Sequence, residues 1–157
     1  MSDPSKQLCF KLGRVVRHVQ QYYEQRLHPF GLTPSQFFVL DALWSKDAVS
    51  IGELGEQVAL DTSTLTGILD RLERSGLVER HQNPADRRST LVVLTDRARE
   101  LEPQVMPIVK ELDISLRHPF SSADMSVFER LLDSFTDVLD KTAGGKEDVG
   151  QEGDLCR

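Results

Sequence analysis

The sequence predicts a mainly α-helical (α+β) chain in which two short helices and a small hairpin are flanked by longer amphipathic helices. Three observations carry this. Apolar residues recur at three- and four-residue spacing through most of the chain. Capping residues precede two short apolar stripes near positions 50 and 61. An Arg-rich turn, Asn83-Pro84-Ala85-Asp86-Arg87-Arg88-Ser89, separates two short β-rich runs. Helix, helix and hairpin in that order is the pattern of a winged helix-turn-helix, which points to double-stranded DNA.

Leu8, Leu12, Val15, Val16, Val19, Tyr22, Tyr23 and Leu27 place a long amphipathic helix at about 6–28, ending around Pro29 to Gly31. Thr33-Pro34-Ser35-Gln36 supplies a cap, a first-turn proline and a capping-box Gln for a second helix that ends near Lys46. Ser50 and Glu53 form a further capping box, opening a third helix at about 51–59. Asp61 or Thr62 caps the fourth, whose stripe is Leu65, Ile68, Leu69 and Leu72 and whose stop is Ser75-Gly76. Residues 77–80 and 90–94 form the hairpin, too short to be a sheet domain. Thr95-Asp96 caps a fifth helix, with Pro103 and Pro107 expected to delay or bend it. Ser121 or Ser122 caps a sixth, carrying Phe128, Leu131, Leu132, Phe135, Val138 and Leu139.

The 157 residues read as one domain: 6–30 and 96–142 as dimerisation helices, 33–95 as the winged DNA-binding region, and the Gly-rich 143–157 as a disordered tail. The outer helices carry more apolar surface than a small winged core can hide, so a second copy is the expected cover. A composition of 39% hydrophobic and 28% charged residues is that of an ordinary soluble protein. Neither a signal sequence nor a membrane-spanning apolar run is present, so the cytoplasm is expected.

A net charge of -6 is unusual for a chain that neutralises phosphates. Its distribution removes the conflict. Residues 61–99 hold 7 basic and 6 acidic groups, whereas 100–157 hold 6 and 13. All seven of those basic residues are Arg, whose fork suits phosphate and guanine.

Thr62, Ser63, Thr64 and Thr66 put four small hydroxyls on the first turns of the fourth helix, suited to phosphates and base edges. Taken alone, such residues also merely cap and solvate a helix; the surrounding order of elements favours DNA. Arg71 and Arg74 follow on the polar side and can reach the flanking backbone. In the turn, Asp86 can hold one of the guanidinium groups of Arg87 and Arg88 and leave the other extended for a minor groove.

The run Ile51, Gly55-Glu56-Gln57, Leu60 to Thr66, Leu69-Asp70-Arg71-Leu72-Glu73, Gly76-Leu77-Val78, Asp86-Arg87-Arg88-Ser89 and Leu94-Thr95 resembles the MarR family of bacterial transcription regulators, over about residues 5–142. The resemblance implies a homodimer on a pseudo-palindromic operator, with Thr62, Ser63, Thr64 and Thr66 at the major groove. It implies Arg88 at the minor groove, oriented by Asp86; Arg87 inherits no fixed role. Leu8-Cys9-Phe10-Lys11-Leu12 is similar to the branch whose N-terminal cysteine senses organic hydroperoxides. That implies oxidation of Cys9 to a sulfenic acid and then a disulfide that displaces the reading helices. Gly13, Pro34 and Phe37 stand where that branch typically has tyrosines bonded to the cysteine.

Cys9 also shares a face with Leu12 and Val16, where a thiol packs as a small hydrophobe. Cys156 reads as a terminal bystander. His18, His28, His81 and His118 lack ligand spacing, so no metal and no cofactor is expected. No catalytic constellation is present, and without a Cys-x-x-Cys a peroxide-reducing enzyme has no recycling motif. The reading is a homodimeric DNA-binding regulator, most often a repressor in such a family, with no membrane partner. Its release signal is either Cys9 oxidation or a small aromatic or anionic ligand in the cleft beside the winged region. The alternative is a winged-helix protein-interaction module without sequence-specific DNA binding, which the acidic total favours slightly.

Overall fold

The N-terminal apolar spacing folds into α1, Leu8–Leu27, closed by a 3-10 turn at His28–Phe30 and by Gly31 in the left-handed region (φ 69°). The structure, a computed structural model, describes residues 6–143. The expected tail beyond α6, Cys156 included, lies outside the described residues. α2 (Pro34–Ser45) opens on the anticipated capping box: Gln36 N–H donates to Thr33 Oγ1 and Thr33 N–H to Gln36 Oε1.

A two-residue strand, β1 (Val49–Ser50), precedes α3 (Ile51–Val58). Ser50 Oγ accepts from Glu53 N–H at 3.2 Å, but the Glu53 carboxylate pairs with Lys46 instead of returning to the cap. The expected box is therefore a simple cap. α4 (Thr62–Arg74) is capped by Asp61, and Gly76 follows its end at φ 69°. β2 (Val78–Gln82) and β3 (Thr90–Leu94) make the hairpin, with Val78 opposite Leu94 and Gln82 opposite Thr90.

The sheet has a third strand that the sequence reading omits. β1 pairs antiparallel with β3, giving the order β1-β3-β2. A two-residue strand leaves no periodicity to detect. α5 (Asp96–Arg117) starts behind Thr95, whose Oγ1 accepts from Ala98 N–H, and α6 (Ser122–Ala143) behind Ser121, which accepts from Asp124 N–H. α5 starts at Asp96 without the delay that Pro103 and Pro107 could have caused, and it runs as one element through both. Each proline removes one backbone donor, and twenty-two residues retain enough of the ladder to continue.

Packing divides the chain into two units, Met1–Glu111 and Leu112–Arg157. In the first, Leu27, Phe37, Leu40, Leu43, Leu54, Leu65, Leu69 and Leu72 are buried, and Tyr23 stacks on Phe37 with ring centroids 5.2 Å apart. Trp44 Nε1 donates to Ala98 O and Tyr22 Oη to Ile108 O, fastening α2 and α1 to α5. In the second unit, Arg117 pairs with Asp113 and Glu129, while Leu131, Val138 and Leu139 stay exposed. The first half of α1 likewise exposes Leu8, Val15 and Val16. No helix among the described residues is long and apolar enough to cross a membrane.

Two alanines hold left-handed backbone, Ala48 at φ 57° before β1 and Ala59 at φ 53° after α3. Between α3 and α4 the chain passes so close to Gly55 that a Cβ there would lie 3.1 Å from Leu60 O. Leu69 seals the interior side of α4. Leu69→Ala is expected to cost about 2–5 kcal/mol in urea unfolding; a loss no larger than that of a surface substitution would refute the tight packing of α4.

Candidate nucleic-acid interface

Leu65, Ile68, Leu69 and Leu72 turn one face of α4 into the core, leaving Thr62, Ser63, Thr64, Thr66, Arg71 and Arg74 exposed. The hydroxyl cluster has an internal order that its residue types alone do not reveal. Ser63 Oγ donates to Asp61 Oδ1 at 2.6 Å, Thr64 Oγ1 to Asp61 Oδ2 at 2.6 Å, and Thr64 N–H to Asp61 Oδ1 at 2.9 Å. Those bonds, the Ser63 hydroxyl's first, hold the Asp61 carboxyl well below the usual carboxylate range. Thr66 Oγ1 donates to Thr62 O at 2.7 Å.

Across from this turn lies the N-terminus of α2. Thr33, Ser35, Ser63, Thr64, Gly67 and Arg71 line an open groove of about 470 Å³ between the two helices. Arg71 makes no side-chain bond among the described residues, whereas Arg74 Nε donates to Asp70 O at 3.1 Å. Arg71 is therefore the freer cation of the pair.

The wing is braced from within. Asn83 N–H donates to Ser89 O, Asn83 Oδ1 accepts from Ala85 N–H, and Gln82 Nε2 donates to Arg87 O. Asp86 departs from expectation in what it holds. Its Oδ1 accepts the backbone N–H of Arg88 at 3.0 Å, and no ion pair joins it to Arg87 or Arg88 among the described residues. The carboxylate fixes the turn through the backbone, where the short Asp side chain reaches most easily. Both guanidinium groups are left exposed, without a partner among the described residues.

Sequence reasoning missed two groups that hold this surface together. Arg80, on β2, reaches Asp70 at 2.8 Å and Glu73 at 2.6 Å, clamping the wing to α4. Acidic residues at i and i+3 on one helix were the available signal, since they call for a cation opposite. Asp47 accepts from Leu94 N–H at 2.9 Å, Ala48 N–H at 2.7 Å and Arg99 at 2.7 Å. Burial opposes its charge, yet the Leu94 amide, the Arg99 guanidinium and the Ala48 amide hold the carboxyl below its ordinary range.

Residues 32–90 match the family model described as MarR family. Over 146 residues, 90% of this chain and 98% of its relative, the sequence is 30% identical to the HTH-type transcriptional regulator MgrA of Staphylococcus aureus. The chain belongs to the MarR family. It is also 34% identical over 102 residues to the organic hydroperoxide resistance transcriptional regulator of Bacillus subtilis, covering 65% of this chain and 69% of that one. AbfR of Staphylococcus epidermidis has a similar fold, with a TM-score of 0.74 at 30% identity over 87% of this chain and 93% of AbfR. AbfR has been solved bound to DNA in reduced and overoxidised forms. In this MarR-family chain the three-stranded sheet and the two-helix unit are thus the winged helix of a regulator family.

The Asp61 bonds give a pH signature. A carboxyl held below its unfolded value stabilises the fold above the ordinary carboxylate pKa of about 4 and loses that contribution as pH falls towards its folded value. The difference in melting temperature between the wild type and Asp61→Ala is therefore expected to be constant from neutral pH down to that region and to shrink only below it. A difference that instead varied across neutral pH would rule out this cap.

Proposed function

We propose that the chain is a homodimeric, operator-binding transcription regulator, acting as a repressor and released by oxidation of Cys9. The observation that carries DNA binding is the exposed surface of α4, with four hydroxyl residues and Arg71, beside a braced wing bearing Arg88, neither Arg having a partner among the described residues. In this reading α4 enters a major groove with Thr62, Ser63, Thr64 and Thr66 towards the base edges. Arg71 and Arg74 lie along the flanking phosphates, and Arg88 with Arg87 at the minor groove. Asp86 sets the turn from which Arg88 extends.

Dimerisation is supported by the exposed apolar residues of α1, the end of α5 and α6, among them Leu8, Val15, Ile114, Leu131 and Leu139. A two-fold dimer would set two α4 helices one duplex turn apart on one face of the operator.

Cys9 stands in the first turn of α1 beside Leu8 and is exposed in the isolated chain, where an organic hydroperoxide would meet its thiol. The thiolate sulfur attacks one peroxide oxygen, the O–O bond breaks, the alcohol leaves, and a sulfenic acid remains; condensation with a second thiol forms a disulfide and water. The hydroperoxide-resistance name of the Bacillus subtilis relative and the overoxidised form of AbfR support this chemistry. The competing signal is a small aromatic or anionic ligand, and one groove is poorly suited to the anionic kind. The groove of about 620 Å³ lined by Gln20, Phe38, Asp41, Ser45 and Gln57 has one ionisable side chain at its walls, Asp41. Burial and then Glu102 push that carboxyl up, so an anion would meet a like charge or a group already short of solvent.

Two measurements test the proposal. Arg88→Ala is expected to weaken operator binding and to lower the slope of log K against log salt by about 1; an unchanged affinity and slope would refute its contact with DNA. Cys9→Ser is expected to bind the operator normally but to stay bound when cumene hydroperoxide is added. Release equal to the wild type's would refute Cys9 as the trigger. Absence of binding to any upstream palindrome at low salt would favour the protein-interaction module.

A further inference from the structure

The hydroxyls on α4 are ordered by what they already bond. A hydroxyl has one proton to give and two lone pairs to offer. Ser63 and Thr64 face the two oxygens of Asp61, each at 2.6 Å, and Thr66 faces the carbonyl of Thr62 at 2.7 Å. A peptide carbonyl never donates, and an ionised carboxylate cannot. The same bonds keep Asp61 ionised. The direction of all three is therefore fixed: each proton points inward along the helix, and only lone pairs and, on the threonines, methyl groups face outward. The hydroxyl of Thr62 alone among the four makes no bond among the described residues, so its proton remains free to donate.

We propose that α4 presents an acceptor-only reading surface, on which Ser63, Thr64 and Thr66 select exocyclic amino groups, adenine N6 or cytosine N4, rather than the acceptor atoms N7, O6 and O4 of the major groove. Asp61 is the positioning residue that imposes this polarity. Guanine N7 and O6 are then left to donors other than these three hydroxyls. This rests on the proposal that α4 enters the major groove and adds to it which atoms are read there.

The experiment begins with selection of bound duplexes from a random library by the full-length protein. At the positions the protein protects, adenine is replaced by purine and cytosine by 2-pyrimidinone, each lacking the amino group. In parallel, 7-deaza bases remove N7. Loss of an amino group under α4 is expected to weaken wild-type binding by about 5- to 150-fold, the span of a good base contact. Thr64→Val keeps the shape without the hydroxyl. At the base read by Thr64 the penalty is expected to vanish in that variant, with thermal unfolding confirming that it folds. Asp61→Asn offers an amide that donates, which lets a hydroxyl turn its proton outward, and sensitivity to 7-deaza substitution is expected to appear.

No enriched duplex would overturn DNA reading itself. An enriched duplex sensitive to N7 removal through Thr64, or indifferent to amino removal, would overturn the acceptor-only surface while leaving DNA binding intact.

Discussion

Four apolar side chains on one face of α4 determine where everything polar on that helix must point. Leu65, Leu69 and Leu72 are fully buried and Ile68 nearly so, which fixes the rotation of α4 about its axis. Burial of each such side chain is worth about 1.5–3 kcal/mol, more than any of the exposed ion pairs on this surface. The hydroxyls, Arg71 and Arg74 acquire their direction from that stripe. The polar contacts then refine an orientation that packing has already set.

Arg80 illustrates this division. Its bonds to Asp70 and Glu73 lie at the surface, with both carboxylates about half exposed, so they add little stability. Their value is geometric, because they tie one strand of the wing to the outer side of α4. The Asp47 cluster does the same where β1, β3 and α5 meet. Helix α4 and the wing are thereby carried on one frame.

Most of that frame was legible in the sequence. Caps at Thr33, Ser50, Asp61, Thr95 and Ser121 are local chemistry, and apolar periodicity is a property of the chain itself. What escaped were features set by distant partners. β1 is too short to have a pattern, and it exists because β3 has a free edge. The Glu53 carboxylate pairs with Lys46 rather than closing its box. The sequence pointed Asp86 at a neighbouring guanidinium, whereas its carboxylate takes the backbone N–H of Arg88, a choice set by the turn's backbone. At the candidate site the residue types were readable, whereas the direction of each hydroxyl proton was not, because Asp61 had been seen only as a cap.

The left-handed alanine at position 59 bears on how such a frame moves. Glycine would occupy that backbone with less strain, but it would also leave a loose joint between α3 and α4. A methyl group there narrows the accessible backbone, and the close approach of Leu60 to Gly55 narrows it further. The joint behaves as a stiff weld rather than a pivot. Movement of α4 relative to α3 about this joint therefore meets more resistance than a glycine at position 59 would offer.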